Sequence, residues 1–207
     1  MKIKRIVVGN LEANCFICQD ETTGRCAIID PGAMNHELLA AIDEAGADKF
    51  DYILLTHCHF DHVGAVSRVK DLTGATIAIH KDDAAGLRDP YINLSGPLGG
   101  RKMLYPEAEI TFSDGDTFQL GETEFTAIHT PGHTVGSCCY RTEGVIFAGD
   151  TLFRESIGRT DFPGGSMRQM RQSLEKLFSL EGDSLVYTGH YAHTTLSHER
   201  MHNPYMS

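Results

Sequence analysis

The sequence predicts a mixed α and β fold, two sheets with helices on their outer faces, and three observations lead there. Nine short apolar runs bounded by Gly, Asp, Asn or Pro read as strands. Three other segments have helical periodicity. Early strand runs follow one another directly while later ones are separated by helices, so the sheets are mixed and not a simple doubly wound array. At 207 residues the chain has the length of one domain or one plus an appendage. Folding at that length buries about 70 % of the unfolded surface, enough for a core without staples.

In chain order the strand runs are residues 3–8, 15–18, 26–29, 52–55, 76–79, 125–128, 137–140, 145–148 and 185–187. The first, IKRIVV, alternates as a strand does. The helical segments are 35–45, 63–72 and 166–177, the last placing Met167, Met170, Leu174, Leu177 and Phe178 on one face. Residues 86–106 lack periodicity, contain Pro90, Pro97, Gly96, Gly99 and Gly100, and are long for a plain connection. They read as a loop near a site. Neither internal repeats nor low-complexity segments are found, and residues 1–207 read as one domain.

Lys plus Arg number 18 against 28 Asp plus Glu, a formal charge of −10. That balance argues against a broad grip on nucleic acid. No stretch approaches the ~18 apolar residues of a membrane span, and the basic amino terminus has too short an apolar part for an export signal. A cytoplasmic protein is expected, with its six cysteines as thiols.

Eleven histidines scattered along the chain are the unusual number. Four potential ligands fall within six residues in Thr56-His57-Cys58-His59-Phe60-Asp61-His62, where an apolar run passes through a loop into a helix. Residues two apart in an extended segment point the same way, so His57 and His59 can converge on one ion, while Asp61 and His62 face a second beside it. Without an ion, this many buried polar groups would be left unpaired at a few kcal/mol each. Three further segments, Pro131-Gly132-His133, Gly149-Asp150-Thr151 and Gly189-His190, each follow an apolar strand and a turn. All gather at one edge of the sheets, where loops can be shaped for substrate.

This order of ligands, His-x-His-x-Asp-His, then His, Asp and His, resembles the metallo-β-lactamase superfamily over almost the whole chain. The resemblance implies an α+β fold, the four-layer αββα sandwich. It implies a first metal held by His57, His59 and His133, a second held by Asp61, His62 and His190, and Asp150 bridging them. Zinc is the first expectation for the two divalent ions, with iron or manganese as alternatives. Zinc lactamases characteristically have Cys at the bridge, so Asp150 argues against β-lactam hydrolysis. Gly149-Asp150-Thr151-Leu152-Phe153 and Gly158-Arg159-Thr160-Asp161-Phe162-Pro163-Gly164-Gly165 resemble the small bacterial type of glyoxalase II, as does the end of the chain. Longer glyoxalase II enzymes add a carboxy-terminal helical domain that is not expected here. Their glutathione-binding Lys and Tyr positions fall on Arg159 and Asp161. The small group usually continues Gly-His-Gly-Pro after the last strand, whereas this chain reads Gly189-His190-Tyr191, so that Tyr191 either projects over substrate or packs on the surface.

The expected activity is hydrolysis of an acyl thioester such as S-lactoylglutathione: acidified water attacks the acyl carbon, Asp61 orients it, and Arg159 holds a substrate carboxylate. The expected partner is that small molecule, with no nucleic acid or membrane. Persulfide dioxygenases of the same superfamily also carry Gly-Arg-Thr-Asp-Phe, and their single iron would fall to His57, His133 and Asp150, a competing reading. A phosphodiesterase or nuclease is disfavoured by the acidic charge. Cys15 and Cys18 read as core residues of a strand, Cys58 as a buried thiol pointing away from its neighbouring ligands, and Cys138 and Cys139 as occupying opposite faces. His80 and His129 read as structural, while His36, His198 and His202 read as solvated. His193, nearer the site, is either a surface residue or a support for a ligand.

Overall fold

In the computed structural model, which describes residues 1–206, short connections pair neighbouring strands and helices carry the chain to parallel partners. The first sheet comprises β1 (Lys2–Val8), β2 (Ala13–Gln19), β3 (Cys26–Ile29), β4 (Phe50–Leu54), β5 (Thr76–His80) and β6 (Ile110–Phe112), hydrogen-bonded in that order. β1 to β3 are antiparallel and β3 to β6 parallel. α1 (His36–Ala45) makes the crossover to β4, and α2 (Phe60–Val63) with α3 (Val66–Thr73) makes the one to β5. In the second sheet, β7 (Thr117–Leu120), β8 (Thr123–His129), β9 (Cys138–Thr142) and β10 (Val145–Phe147) are antiparallel neighbours. After a hairpin of β11 (Leu152–Phe153) and β12 (Ser156–Ile157), α4 (Met167–Phe178) leads to β13 (Leu185–Tyr187), parallel to β10. β14 (Thr194–Thr195) closes that edge and leads into α5 (Leu196–His202).

Three apolar clusters separate the four layers. Leu38, Ile42, Val66 and Val69 of α1 and α3 pack on one face of the first sheet. Phe16, Ile29, Leu54, Phe125, Tyr140 and Phe147 fill the space between the sheets. Leu174, Leu177 and Leu196 cover the second sheet over Ile146 and Val186. The result is an αββα sandwich. Alternation along β2 sends Cys15 to the outer cluster and Cys18 to the central one, and Cys138 and Cys139 part in the same way. All six cysteines are buried free thiols.

Two helical expectations are corrected. Residues 63–72 do not form one helix, because the chain breaks at Gly64 and Ala65, where the Ala65 N–H donates to the Pro31 carbonyl at 2.8 Å instead of continuing the helical ladder. Met167 leaves the apolar face of α4 and is 37 % exposed, while Met170, Leu174 and Leu177 are buried. The long segment after β5 begins with a 3-10 turn at Ala84–Arg88 before becoming irregular. Its residues Leu94 and Leu98 line a cleft at the carboxyl ends of the strands.

Candidate metal centre

His57, His59, Asp61 and His62 follow β4, His133 follows β8, Asp150 follows β10, and His190 follows β13. Strand ends thus deliver these candidate ligands to one edge of the sandwich, each on a short turn. Close backbone packing sets the angle of α2: a Cβ at Gly32 would lie 1.6 Å from the Asp61 carbonyl oxygen, so only glycine admits this approach. At Gly189 a Cβ would lie 2.2 Å from Asp150 Oδ1, and its absence lets the last two ligand turns touch.

Ligand atoms of His57, His59 and His133 form one group within 4.8 Å of one another, and those of Asp61, His62 and His190 form another. In the first, His59 Nδ1 is 2.9 Å from His133 Nε2. In the second, His190 Nε2 lies 3.2 Å from His62 Nε2 and 3.3 Å from Asp61 Oδ2. Asp150 stands between them, Oδ1 3.4 Å from His62 Nε2 and Oδ2 3.5 Å from His133 Nε2. Bond lengths of ~2.0–2.1 Å in a tetrahedral site separate donors by roughly 3.3 Å, the scale of these spacings.

Hydrogen bonds on the far sides of the rings fix where the lone pairs point. Carbonyl oxygens only accept, so His190 Nδ1 donates to Leu11 at 3.0 Å and His133 Nδ1 donates to Arg159 at 2.7 Å. Thr56 Oγ1 donates to Asp30 Oδ2 at 2.6 Å and therefore accepts from His57 Nδ1 at 3.0 Å. His62 Nδ1 faces the same Asp30 oxygen at 3.0 Å. With every ring neutral, the state that coordination of a metal requires, the Nε2 lone pairs of His57, His62, His133 and His190 all face inward. Lone pairs at these distances repel unless a cation lies among them. His57 Nε2 and Asp150 Oδ1 are also buried without a hydrogen-bond partner. The donor set, five imidazoles and two carboxylates, therefore fits a divalent metal centre.

Electrostatics separate the two groups. Burial, aided by neighbouring histidines, pushes His57 and His59 well below the ordinary histidine pKa. Burial acts the same way on His62, but Asp150, Asp61 and Asp30 outweigh it and raise that ring to about 10. Burial also opposes a charge on His190, yet Asp61 and Asp150 raise it. Against its own burial, Asp61 is held well below the usual carboxylate range by His62, His190 and His59. The metal-free site thus retains protons on the Asp61 side.

Above the ligands opens a cleft of about 410 Å³, walled by Leu94, Leu98, Phe153, Phe162, Tyr191 and Arg159. Arg159 forms two hydrogen bonds to Asp161, at 2.9 and 2.7 Å, and its guanidinium lies 4.1 Å from the centre of the Phe162 ring. Asp161 is therefore the partner of Arg159 and does not itself line the cleft. Tyr191 is 73 % exposed, has φ of 63°, and fixes its turn through a carbonyl that accepts from Arg5 and Asn14. His193 is exposed and away from the ligands, near Tyr187. A larger depression of about 640 Å³, edged by Met1, Glu122 and Arg141, contains no ligand cluster and lies apart from this chemistry.

Sequence reasoning passed over Asp30 and the apolar walls. Asp30 is 2 % exposed and accepts from Thr56 N, Thr56 Oγ1 and His62 Nδ1. Its place at the end of an apolar run, in Ile29-Asp30-Pro31-Gly32, was the available signal. His80, Asp82 and His129 also gather ligand atoms. Their histidine rings stack at 3.9 Å and 10°, however, so the in-plane lone pairs run parallel and do not converge on one ion.

A family model described as the metallo-beta-lactamase superfamily matches residues 8–190. The hydroxyacylglutathione hydrolase GloC of Haemophilus influenzae (strain ATCC 51907 / DSM 11121 / KW20 / Rd) is 32 % identical over 216 residues, covering 100 % of this chain and 99 % of that protein. Among solved structures, the BLEG-1 B3 metallo-beta-lactamase superposes with a TM-score of 0.93 at 33 % identity, with full coverage of both chains. TTHA1623 in a di-iron-bound form superposes with a TM-score of 0.86 at 30 % identity, covering 98 % of this chain and 99 % of the other.

Proposed function

Since this chain belongs to the metallo-beta-lactamase superfamily, we propose that it is a metal-dependent hydrolase of acyl thioesters, with S-lactoylglutathione or a similar 2-hydroxyacyl thioester as substrate. The observation that carries this reading is the pair of adjacent ligand groups sharing Asp150 on the floor of an open cleft. Full-length similarity to a hydroxyacylglutathione hydrolase supports the thioester class. Two divalent ions, when bound, supply water acidified toward neutral pKa and an electrophile for the acyl oxygen. Zinc is the first expectation, and the di-iron relative supports iron as an alternative in the same kind of site.

The chain's own groups do the rest. Asp61, kept ionised, accepts a hydrogen bond from the attacking water and orients it toward the acyl carbon. Cleavage of the carbon–sulfur bond by one water yields a carboxylic acid and a thiol. Phe153, Phe162 and Leu98 lie against the apolar part of the substrate, and Arg159 at the rim meets a carboxylate. His57, His133 and Asp150 alone would serve a single-iron persulfide dioxygenase, the competing reading, and His59, Asp61, His62 and His190 do not discriminate because they are present under both. Likeness to BLEG-1 makes a β-lactam the other substrate to try.

The deciding assay follows thiol release from a thioester panel by protein loaded in turn with zinc, iron and manganese, beside a cephalosporin and a persulfide with oxygen uptake. Thiol release from a 2-hydroxyacyl thioester, abolished by chelator and restored by metal, is the expected result. Turnover of the cephalosporin or the persulfide with no thioester cleaved would overturn the reading.

A further inference from the structure

Asp83 is a buried carboxylate that the proposed chemistry does not use. It follows β5 and is 2 % exposed. An aspartate immediately before a helical turn ordinarily caps it, yet Asp83 makes no side-chain cap to Ala84–Arg88. Its oxygens are turned toward the two ligand loops instead. Oδ2 accepts from the backbone N–H of Cys58 at 2.9 Å and from Thr134 Oγ1 at 2.8 Å. Oδ1 accepts from the backbone N–H of Gly136 at 2.7 Å. Cys58 lies between His57 and His59, and Thr134 immediately follows His133. One carboxylate therefore joins the segment bearing two imidazoles of the first ligand group to the loop bearing the third.

These segments belong to different sheets, so Asp83 acts across the seam of the sandwich. The fit is close on both sides. A Cβ at Gly136 would lie 2.7 Å from Asp83 Oδ1, and one at Gly86 would lie 2.4 Å from Cys58 Sγ. Thr134 is fixed further by Ser137, its Oγ1 2.7 Å from Ser137 Oγ and its N–H donating to that oxygen at 3.0 Å. Neither hydrogen-bonding oxygen of Asp83 touches Asp61, His62 or His190.

We infer that Asp83 is a positioning residue for the His57, His59 and His133 ligand group, setting the spacing of its imidazoles through the backbone behind them and leaving the Asp61, His62 and His190 group alone. This inference rests on the metal centre and not on the thioester reading. An outer partner of this kind typically changes metal affinity by roughly 10- to 100-fold.

The test separates the two groups. His190→Ala retains the first group intact, and His59→Ala retains the second. Asp83→Asn is placed in each background, and zinc affinity is measured by competition with a chromophoric chelator. The asparagine side chain opposes its own N–H to one of the three donors, so it weakens the clamp without emptying the space; Asp83→Ala in parallel removes the clamp. The expected outcome is a roughly 10- to 100-fold loss in the His190→Ala background and less than a twofold change in the His59→Ala background. Leu174→Ala, a truncation in the cluster under α4, is the control for general destabilisation and should not separate the backgrounds. Equal losses in both backgrounds, or none in either, would overturn the inference, whatever the enzyme hydrolyses.

Discussion

Arg159 and Asp161 neutralise each other at the rim of the cleft, both more than 60 % exposed. A substrate carboxylate must compete with Asp161 for the guanidinium, and water screens that contest. Asp161→Asn is therefore expected to lower the KM of an anionic thioester by roughly two- to fivefold and to leave a thioester with an uncharged thiol arm unchanged, as steady-state kinetics would show. Arg159→Ala should raise KM for the anionic substrate; an unchanged KM would remove Arg159 from substrate binding. Spacing made the cluster from His57 to His62 legible at this scale, because in an extended segment residues two apart point the same way, whereas the roles of His133, Asp150 and His190 rested on the resemblance. The Arg159–Asp161 pair was not legible as a pair. Residues two apart meet here across the bend from Thr160 to Phe162, with the guanidinium over the Phe162 ring; Pro163-Gly164-Gly165 marks a turn nearby but not which side chains it brings together.

Among the elements, α2 is only four residues long and is aimed by contact with the β3 turn. Gly32→Ala would drive a methyl group into the Asp61 carbonyl, and overpacking of this sort costs about 1–3 kcal/mol. The expected result is a lower melting temperature together with weaker binding at the Asp61, His62 and His190 group, read by calorimetry and metal titration. At the start of α1, by contrast, Asn35 Oδ1 accepts from Leu38 N at 2.8 Å. Asn35→Ala should cost about 1 kcal/mol of stability with metal content unchanged. The alternating seven-residue β1, the wholly apolar β3 and the amphipathic α4 could be read from their patterns. β6, β7, β11, β12 and β14 could not, since runs of two to four residues with polar members carry too few positions for a period to emerge. The break after α2 escaped for another reason: the Ala65 N–H goes to the Pro31 carbonyl, some thirty residues earlier.

On the scale of the whole molecule, protons and metal compete for the seam between the sheets. His62 and His190, raised in the folded chain, contribute stability that is full below the ordinary histidine value of 6.5 and fades as pH rises, through about 10 for His62. His57 and His59, lowered on folding, cost nothing above 6.5 and weaken the fold as pH drops below it. Metal-free protein should accordingly have its highest melting temperature near pH 6.5 and lose stability on both sides. Metal binding at neutral pH should release protons, which titration calorimetry in buffers of different ionisation enthalpy would count. Two sheets with helices outside were legible from the order of strand and helix patterns, but which strand lies beside which was not, because strands pair along their edges with partners distant in sequence, as β10 does with β13. That pairing has a consequence of its own. Every strand of the first sheet ends by Phe112 and every strand of the second begins at Thr117. A nick in the turn between them would leave two fragments with no shared sheet, each holding an incomplete set of ligands, and their reunion would become a bimolecular event reported by the metal they capture together.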